Sequence, residues 1–137
     1  MRMGFTGTRK GMTKVQLLIF TALLKKKRPK EFHHGDCKGA DEQAHLVAAL
    51  LDSRVVIHPP VNERMRAHCP DAHEVKEPRL YLERNHAIVD ACDVLVATPG
   101  ESREVTRSGT WATVRYARKL GRKIYIIYPD GTLEVEP

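Results

Sequence analysis

Cysteine is scarce: Cys37, Cys69 and Cys92 are the only three in 137 residues. They are odd in number and widely separated, which is not the pattern of a disulfide framework, and a reducing cytoplasm is the expected setting. Long apolar runs are missing too. The longest, Val15 to Leu24, is interrupted by Gln16 and Thr21, well short of the ~20 residues that span a bilayer. A strand-like segment begins almost at the first residue, so no signal-peptide pattern is read. There is no repeat and no low-complexity tract. Aromatic residues are few (one Trp, three Phe, four Tyr) and are not interleaved with the basic runs, which argues against a base-stacking platform for single strands. Two nucleotide motifs are also absent. Without Gly-x-x-x-x-Gly-Lys-Ser/Thr the chain is not read as a P-loop ATPase, and without Gly-x-Gly-x-x-Gly it is not read as a standard dinucleotide enzyme.

What the sequence does contain is positive charge and a regular alternation of elements. The formal net charge is +6. Much of it sits in Lys25-Lys26-Lys27-Arg28 with Lys30, and in Arg115, Arg118, Lys119, Arg122 and Lys123. Such runs either attract nucleic acid or phosphorylated small molecules or complement helix C-termini.

The length suits one domain, residues 1–137. Met3–Gly7 reads as a first strand, and Thr13 caps a helix that runs to about Lys26 and is stopped by Pro29. Glu31–His34 is a second strand, Ala40–Leu51 a helix, and Arg54–His58 a third strand closed by Pro59-Pro60. Val61–Pro78 has no clear pattern, as in functional lids or mobile loops. Arg79–Ala91 is helical, and the continuous apolar run Asp93–Ala97 suits a strand buried on both faces. Gly109–Leu120 is a helix ended by Gly121. Lys123–Tyr128 is a fifth strand, and Leu133–Val135 suits a short edge extension after the Asp130-Gly131 turn. This alternation predicts an α/β, Rossmann-like, doubly wound and mostly parallel five-stranded sheet, of order 3-2-1-4-5, with helices on both faces. Ligands of such sheets bind beyond the strand C-termini where the winding reverses, here at the loops after strands one and four.

Three glycine-bearing segments follow predicted strands: Thr6–Gly11, Gly35–Asp41 and Ser108-Gly109-Thr110. Parallel strands bring all three to one edge. Glycine lets backbone N–H groups approach an anion, and a helix N-terminus adds partial positive charge. The predicted ligand residues are Gly7, Thr8, Arg9, Lys10, Gly35, Lys38, Gly39, Arg84, Asn85, Pro99, Ser108, Gly109 and Thr110. His68-Cys69-Pro70-Asp71-Ala72-His73 groups two histidines and a cysteine but lacks well-spaced ligands, so no metal is expected. His58 is a possible ligand contact beside the Pro59-Pro60 turn. Trp111 could stack on a base or pack against a partner.

Gly7-Thr8-Arg9, His34-Gly35-Asp36-Cys37-Lys38-Gly39-Ala40-Asp41, Arg84-Asn85 and Ser108-Gly109-Thr110 with Thr113 and Ala117, in this order, resemble the SLOG superfamily over roughly Met3 to Tyr128. That group includes the Lonely Guy phosphoribohydrolases and the DNA-processing protein A domain. The resemblance implies a nucleotide or nucleotide-derived ligand. The Lonely Guy signature is similar to Pro-Gly-Gly-x-Gly-Thr-x-x-Glu. Here an inserted loop separates Pro99-Gly100 from Gly109-Thr110, and Thr113 takes the glutamate position. Glycosidic cleavage would therefore need a relocated carboxylate, and the candidates are Asp36, Asp41, Glu101 and Glu104. Three functions follow: a nucleotide sensor or sequestering protein, a nucleoside 5′-monophosphate N-glycosidase, and a single-stranded DNA-binding module. No motif specifies a resident cofactor, and a molybdenum-type cofactor, carried by similar folds, stays open. A homodimer or higher homo-oligomer through Trp111, Tyr116 and the helix faces around them is the expected assembly, with no membrane partner.

Overall fold

The computed structural model describes residues 1–137. The elements run β1 (Arg2–Gly7), α1 (Lys14–Lys27), β2 (Glu31–His34), α2 (Ala40–Leu50), β3 (Arg54–Ile57), β4 (Glu74–Val75), α3 (Tyr81–Asp90), β5 (Val94–Thr98), α4 (Gly109–Lys119), β6 (Lys123–Ile127) and β7 (Leu133–Glu136). They form one sheet of order β4-β3-β2-β1-β5-β6-β7. All pairings are parallel except β6 with β7. The sheet is thus mostly parallel and Rossmann-like, but with seven strands where five were expected. Its order differs from 3-2-1-4-5 by a strand added at each edge. β4 is two residues of the segment read as irregular, held by pairing to Val56 and Ile57.

Two cores follow from the alternation of side chains along the strands. On one face α1 and α2 cover Met3, Phe5, Phe32, Val55, Ile57, Val96 and Ile127. Phe5, Phe20 and Phe32 meet there at centroid separations of 5.2–6.0 Å. On the other face Val89 of α3 and Trp111, Val114 and Ala117 of α4 cover Leu95, Ala97, Ile124 and Ile126.

The N-terminus of α1 is bound to the sheet's C-terminal edge. Thr13 and Gln16 form a reciprocal capping box, which satisfies two otherwise orphaned donors. The buried Gln16 also donates through Nε2 to the Pro99 and Ile127 carbonyls, each at 2.8 Å. One side chain therefore joins helix α1 to the ends of β5 and β6. No helix is long and apolar enough to cross a membrane.

Candidate functional site

β1 has β2 on one side and β5 on the other, so the crossovers part at its C-terminal end. A cleft of about 390 Å³ opens there. Its walls come from the loop after β1 (Thr6 to Lys10), the loop after β2 (Gly35, Cys37, Asp41), helix α3 (Tyr81, Arg84, Asn85, Ile88), and the loop into α4 (Gly100, Glu101, Arg107 to Thr110). The structure thus brings together Gly7, Thr8, Arg9, Lys10, Gly35, Asp41, Arg84, Asn85, Glu101, Ser108, Gly109 and Thr110 of the expected residues.

Five expected residues stand elsewhere. Pro99 turns its carbonyl to Gln16. Lys38 is exposed, and its backbone N–H donates to Met65. Gly39, at φ 95°, lies against the Arg9 backbone, which a Cβ would overlap. That left-handed glycine lets the first two loops touch. Asp36 is fully buried beneath the 61–78 segment: its carboxylate accepts from Arg66 Nε and the Cys69 N–H, both at 2.8 Å. Burial opposes the Asp36 charge, but these two donors bring its pKa below the usual carboxylate value. Glu104 is paired with Arg115 at 3.0 Å and Arg118 at 2.8 Å on the outer surface.

The cationic residues of the cleft fall into two kinds. Arg84 is buried, and four of its five N–H donors are bonded within the wall. Nε donates to Asn85 Oδ1, Nη1 to the carbonyls of Gly35 and His58, and Nη2 to Cys37 Sγ at 3.4 Å. Its role is to hold the wall. Arg9, Lys10 and Arg107 make no side-chain hydrogen bond or ion pair, and their charges are open to a ligand. The Arg9 guanidinium lies 4.5 Å from the Tyr81 ring centroid, with Arg84 at 5.2 Å from the same ring. Tyr81 thus orients Arg9 through its π-face.

Neutral donors complete the set. Ser108 caps α4 by accepting from the Trp111 N–H at 3.2 Å. The Gly109 and Thr110 N–H groups at the helix start have no acceptor in the protein. Nothing lies within 4 Å of where a Gly109 Cβ would stand, and both residues line the cleft at the positive end of α4.

The carboxylates are engaged differently. Glu101 accepts from Trp111 Nε1 at 3.1 Å. Trp111 is buried in the core below, so it neither stacks on a base nor meets a partner. Asp41 is buried and accepts from the Cys37 N–H at 3.1 Å. Burial raises its pKa to about 6, against the pull of Arg84 and of the backbone N–H groups. Thr113 is buried, and its hydroxyl donates to the Gly109 carbonyl at 2.8 Å. No acid–base group stands at that position.

Outside the cleft, His58 stays buried, bonded to His33 at 2.9 Å. His68 pairs with Glu63, and His73 accepts from the Val55 N–H. Tyr116 stacks on His86 at 3.8 Å and donates to Asp90. The 61–78 segment contributes nothing to the cleft lining. The sequence reading missed Phe5, Tyr81, Ile88, Gly100 and Arg107, while Thr6 and Cys37 lay within its glycine-bearing segments without being named as ligand residues. Tyr81 and Ile88 carry a signal, since they share a helix with Arg84-Asn85 at three- and four-residue spacing.

The cleft is polar and cation-lined, and it lies at the topological switch point, where open α/β sheets take their ligands. No protein-family profile matches the chain, and no curated protein matches it. Solved structures do match in fold. The molybdenum cofactor binding protein from the phototrophic bacterium Rippkaea orientalis superposes with a TM-score of 0.70 at 18% identity, over 92% of this chain and 75% of that one. A structural-genomics target, TM1055, gives 0.62 at 19% identity, over 90% and 72%. DNA processing protein A from Streptococcus pneumoniae gives 0.69 at 17% identity, over 91% of this chain but 49% of its own. This chain therefore spans about half of that protein. The shared fold is the one expected from the resemblance to the SLOG superfamily.

Proposed function

We propose that this protein binds a nucleotide or nucleotide-derived phosphorylated ligand in the cleft after β1, β2 and β5, as a sensor or sequestering protein. One observation carries the reading. The cleft's unpaired charges are all cations (Arg9, Lys10, Arg107) and its unpaired backbone groups are the N–H donors of Gly109 and Thr110, whereas Glu101 and most of Arg84 are spent on holding the walls. Helix N-termini and planar guanidinium groups suit phosphate. The unpaired Asn85 amide nitrogen and the Thr8 hydroxyl suit a sugar.

Asp41 supports a second reading. A carboxyl group with its pKa raised to about 6 in a cleft has the acidity of a general acid–base. That favours an N-glycosidase that uses Asp41 in place of the missing glutamate.

The test is a thermal-shift and calorimetric screen of nucleoside monophosphates, cyclic nucleotides, dinucleotides, ADP-ribose and phosphorylated pterins, with chromatography for free base. Binding without base release is expected. Arg9→Ala and Arg107→Ala should each weaken binding about 10-fold or more, the worth of a charge-assisted hydrogen bond. Unchanged affinity in both variants would place the ligand elsewhere. Base release that is lost in Asp41→Asn would establish the enzyme.

A further inference from the structure

Behind the Gly35–Asp41 wall, three side chains from three separate segments converge. They are His34 at the end of β2, His45 in α2 and Cys69 in the 61–78 segment. One ring nitrogen of each histidine and Cys69 Sγ all lie within 4.8 Å of one another, and His34 Nε2 faces His45 Nδ1 at 2.9 Å. Both histidines are buried and Cys69 is partly so. We propose that His34, His45 and Cys69 form a binding site for a zinc-class transition-metal ion that staples the 61–78 segment to β2 and α2.

The surroundings prepare two of the donors. His45 Nε2 lies 2.8 Å from the Pro70 carbonyl. It must carry the proton there, which leaves Nδ1 as a lone pair pointing into the cluster. Ligating histidines are commonly oriented by such a second bond. The Cys69 backbone is pinned by its N–H bond to Asp36, and Asp36 is pinned in turn by Arg66. The sulfur is therefore presented from a fixed loop. Two imidazoles and a thiolate are the donors that zinc and copper prefer over magnesium or calcium.

His34 sets the condition for loading. Its Nδ1 accepts from the Asp36 N–H at 3.0 Å, and its Nε2 donates to His45 Nδ1 at 2.9 Å. Without metal the protons run in one direction, from the Asp36 amide through both rings to Pro70. With metal, the His34 proton moves to Nδ1, the Asp36 amide bond is given up, and the thiol proton leaves to solvent. The ring nitrogens separate from 2.9 Å to about 3.3 Å, and the sulfur draws in to about 3.6 Å from each, as tetrahedral zinc requires.

The experiment uses the untagged full chain, purified without chelators and loaded with Zn²⁺ alone. After desalting, elemental analysis should find one ion per chain. Co²⁺ loading should give a thiolate-to-cobalt charge-transfer band. Cys69→Ser should abolish that band and weaken Zn²⁺ binding by more than about 100-fold, beyond the loss of an outer-shell partner. Cys92→Ser, whose thiol packs on Gly4 under α3, should keep both. His45→Gln repeats the test if Cys69→Ser fails to fold, with circular dichroism of each apoprotein as the check. One copper ion per chain with a sulfur-to-copper band would support the site with a different occupant. Less than stoichiometric metal of either kind, or a Cys69→Ser protein that binds Zn²⁺ as tightly as the parent, would overturn it.

Discussion

Gly35 shows how closely the cleft wall is fitted. A Cβ there would overlap the Arg84 guanidinium and stand 3.0 Å from an Asp41 oxygen. Arg84 cannot yield, because its donors are committed to four partners. Gly35→Ala should therefore cost about 1–3 kcal/mol, the range for overpacking a buried site, in urea unfolding. Gly109→Ala meets nothing within 4 Å and should stay within about 0.5 kcal/mol of the parent. Similar losses in the two variants would contradict the fitted wall. Asp41 beside it gives a pH signature. Its folded pKa is about 6, against about 3.9 in the unfolded chain. Between those values the folded state holds the extra proton, so stability from this group is greatest below about pH 4. It falls as the pH rises to about 6 and is level above that. The loss is on the order of 3 kcal/mol. The lowered carboxylates, such as Asp36, slope the other way. The difference between parent and Asp41→Asn cancels them. That difference should move against Asp41→Asn as the pH falls from 6 to 4, and a flat difference would place the carboxyl in a wetter setting.

At the scale of elements, the cleft is made by where helices begin. α4 starts at a serine cap whose oxygen takes the Trp111 N–H, which leaves the next two N–H groups for a ligand. Ser108→Ala should cost about 1 kcal/mol of stability. It should also weaken ligand binding, because the fraying turn carries Gly109 and Thr110. A variant that loses stability but keeps full affinity would separate the cap from the site. This part of the molecule was legible in the sequence. Ser-Gly-Thr before a periodic helix and after a buried apolar strand places that helix start at the sheet's C-terminal edge, beside Gly7-Thr8-Arg9 and Gly35–Asp41, although the cap itself is Ser108. What escaped is explained by tertiary contacts. β4 exists only because Val56 and Ile57 offer it an edge, and two residues carry no period. Asp36 looks like a loop carboxylate until Arg66 and Cys69, some thirty residues on, close over it. Glu104 looks free until α4 presents Arg115 and Arg118 to it. Arg107 precedes a cap and has no sequence signal that separates it from a solvated loop.

Over the whole molecule, the +6 charge is split between opposite ends. Each crossover helix runs back against the strand before it. The C-terminus of α1, with Lys25, Lys26 and Lys27, and that of α4, with Arg118 and Lys119, therefore lie at the sheet's N-terminal edge. The cleft is at the other edge. Strands of five or six residues separate the two by about 17–20 Å, roughly two Debye lengths at physiological salt. The basic run at the end of α1 thus adds little to the potential in the cleft, and the Arg118 charge is already balanced by Glu104 and Glu136. Replacing Lys25 and Lys26 together by Glu should leave nucleotide affinity within about 2-fold at physiological salt, while Arg107→Ala lowers it about 10-fold. The same pair separates the two ligand classes. A cleft ligand answers to Arg107 and not to the lysines. A polyanion such as single-stranded DNA, held by phosphate contacts, would answer to the lysines with a steep loss of affinity as salt rises. Calorimetry at two salt concentrations reads both. If the lysine pair lowered nucleotide affinity as much as Arg107→Ala does, the ligand would lie outside the cleft, at the basic end of the sheet.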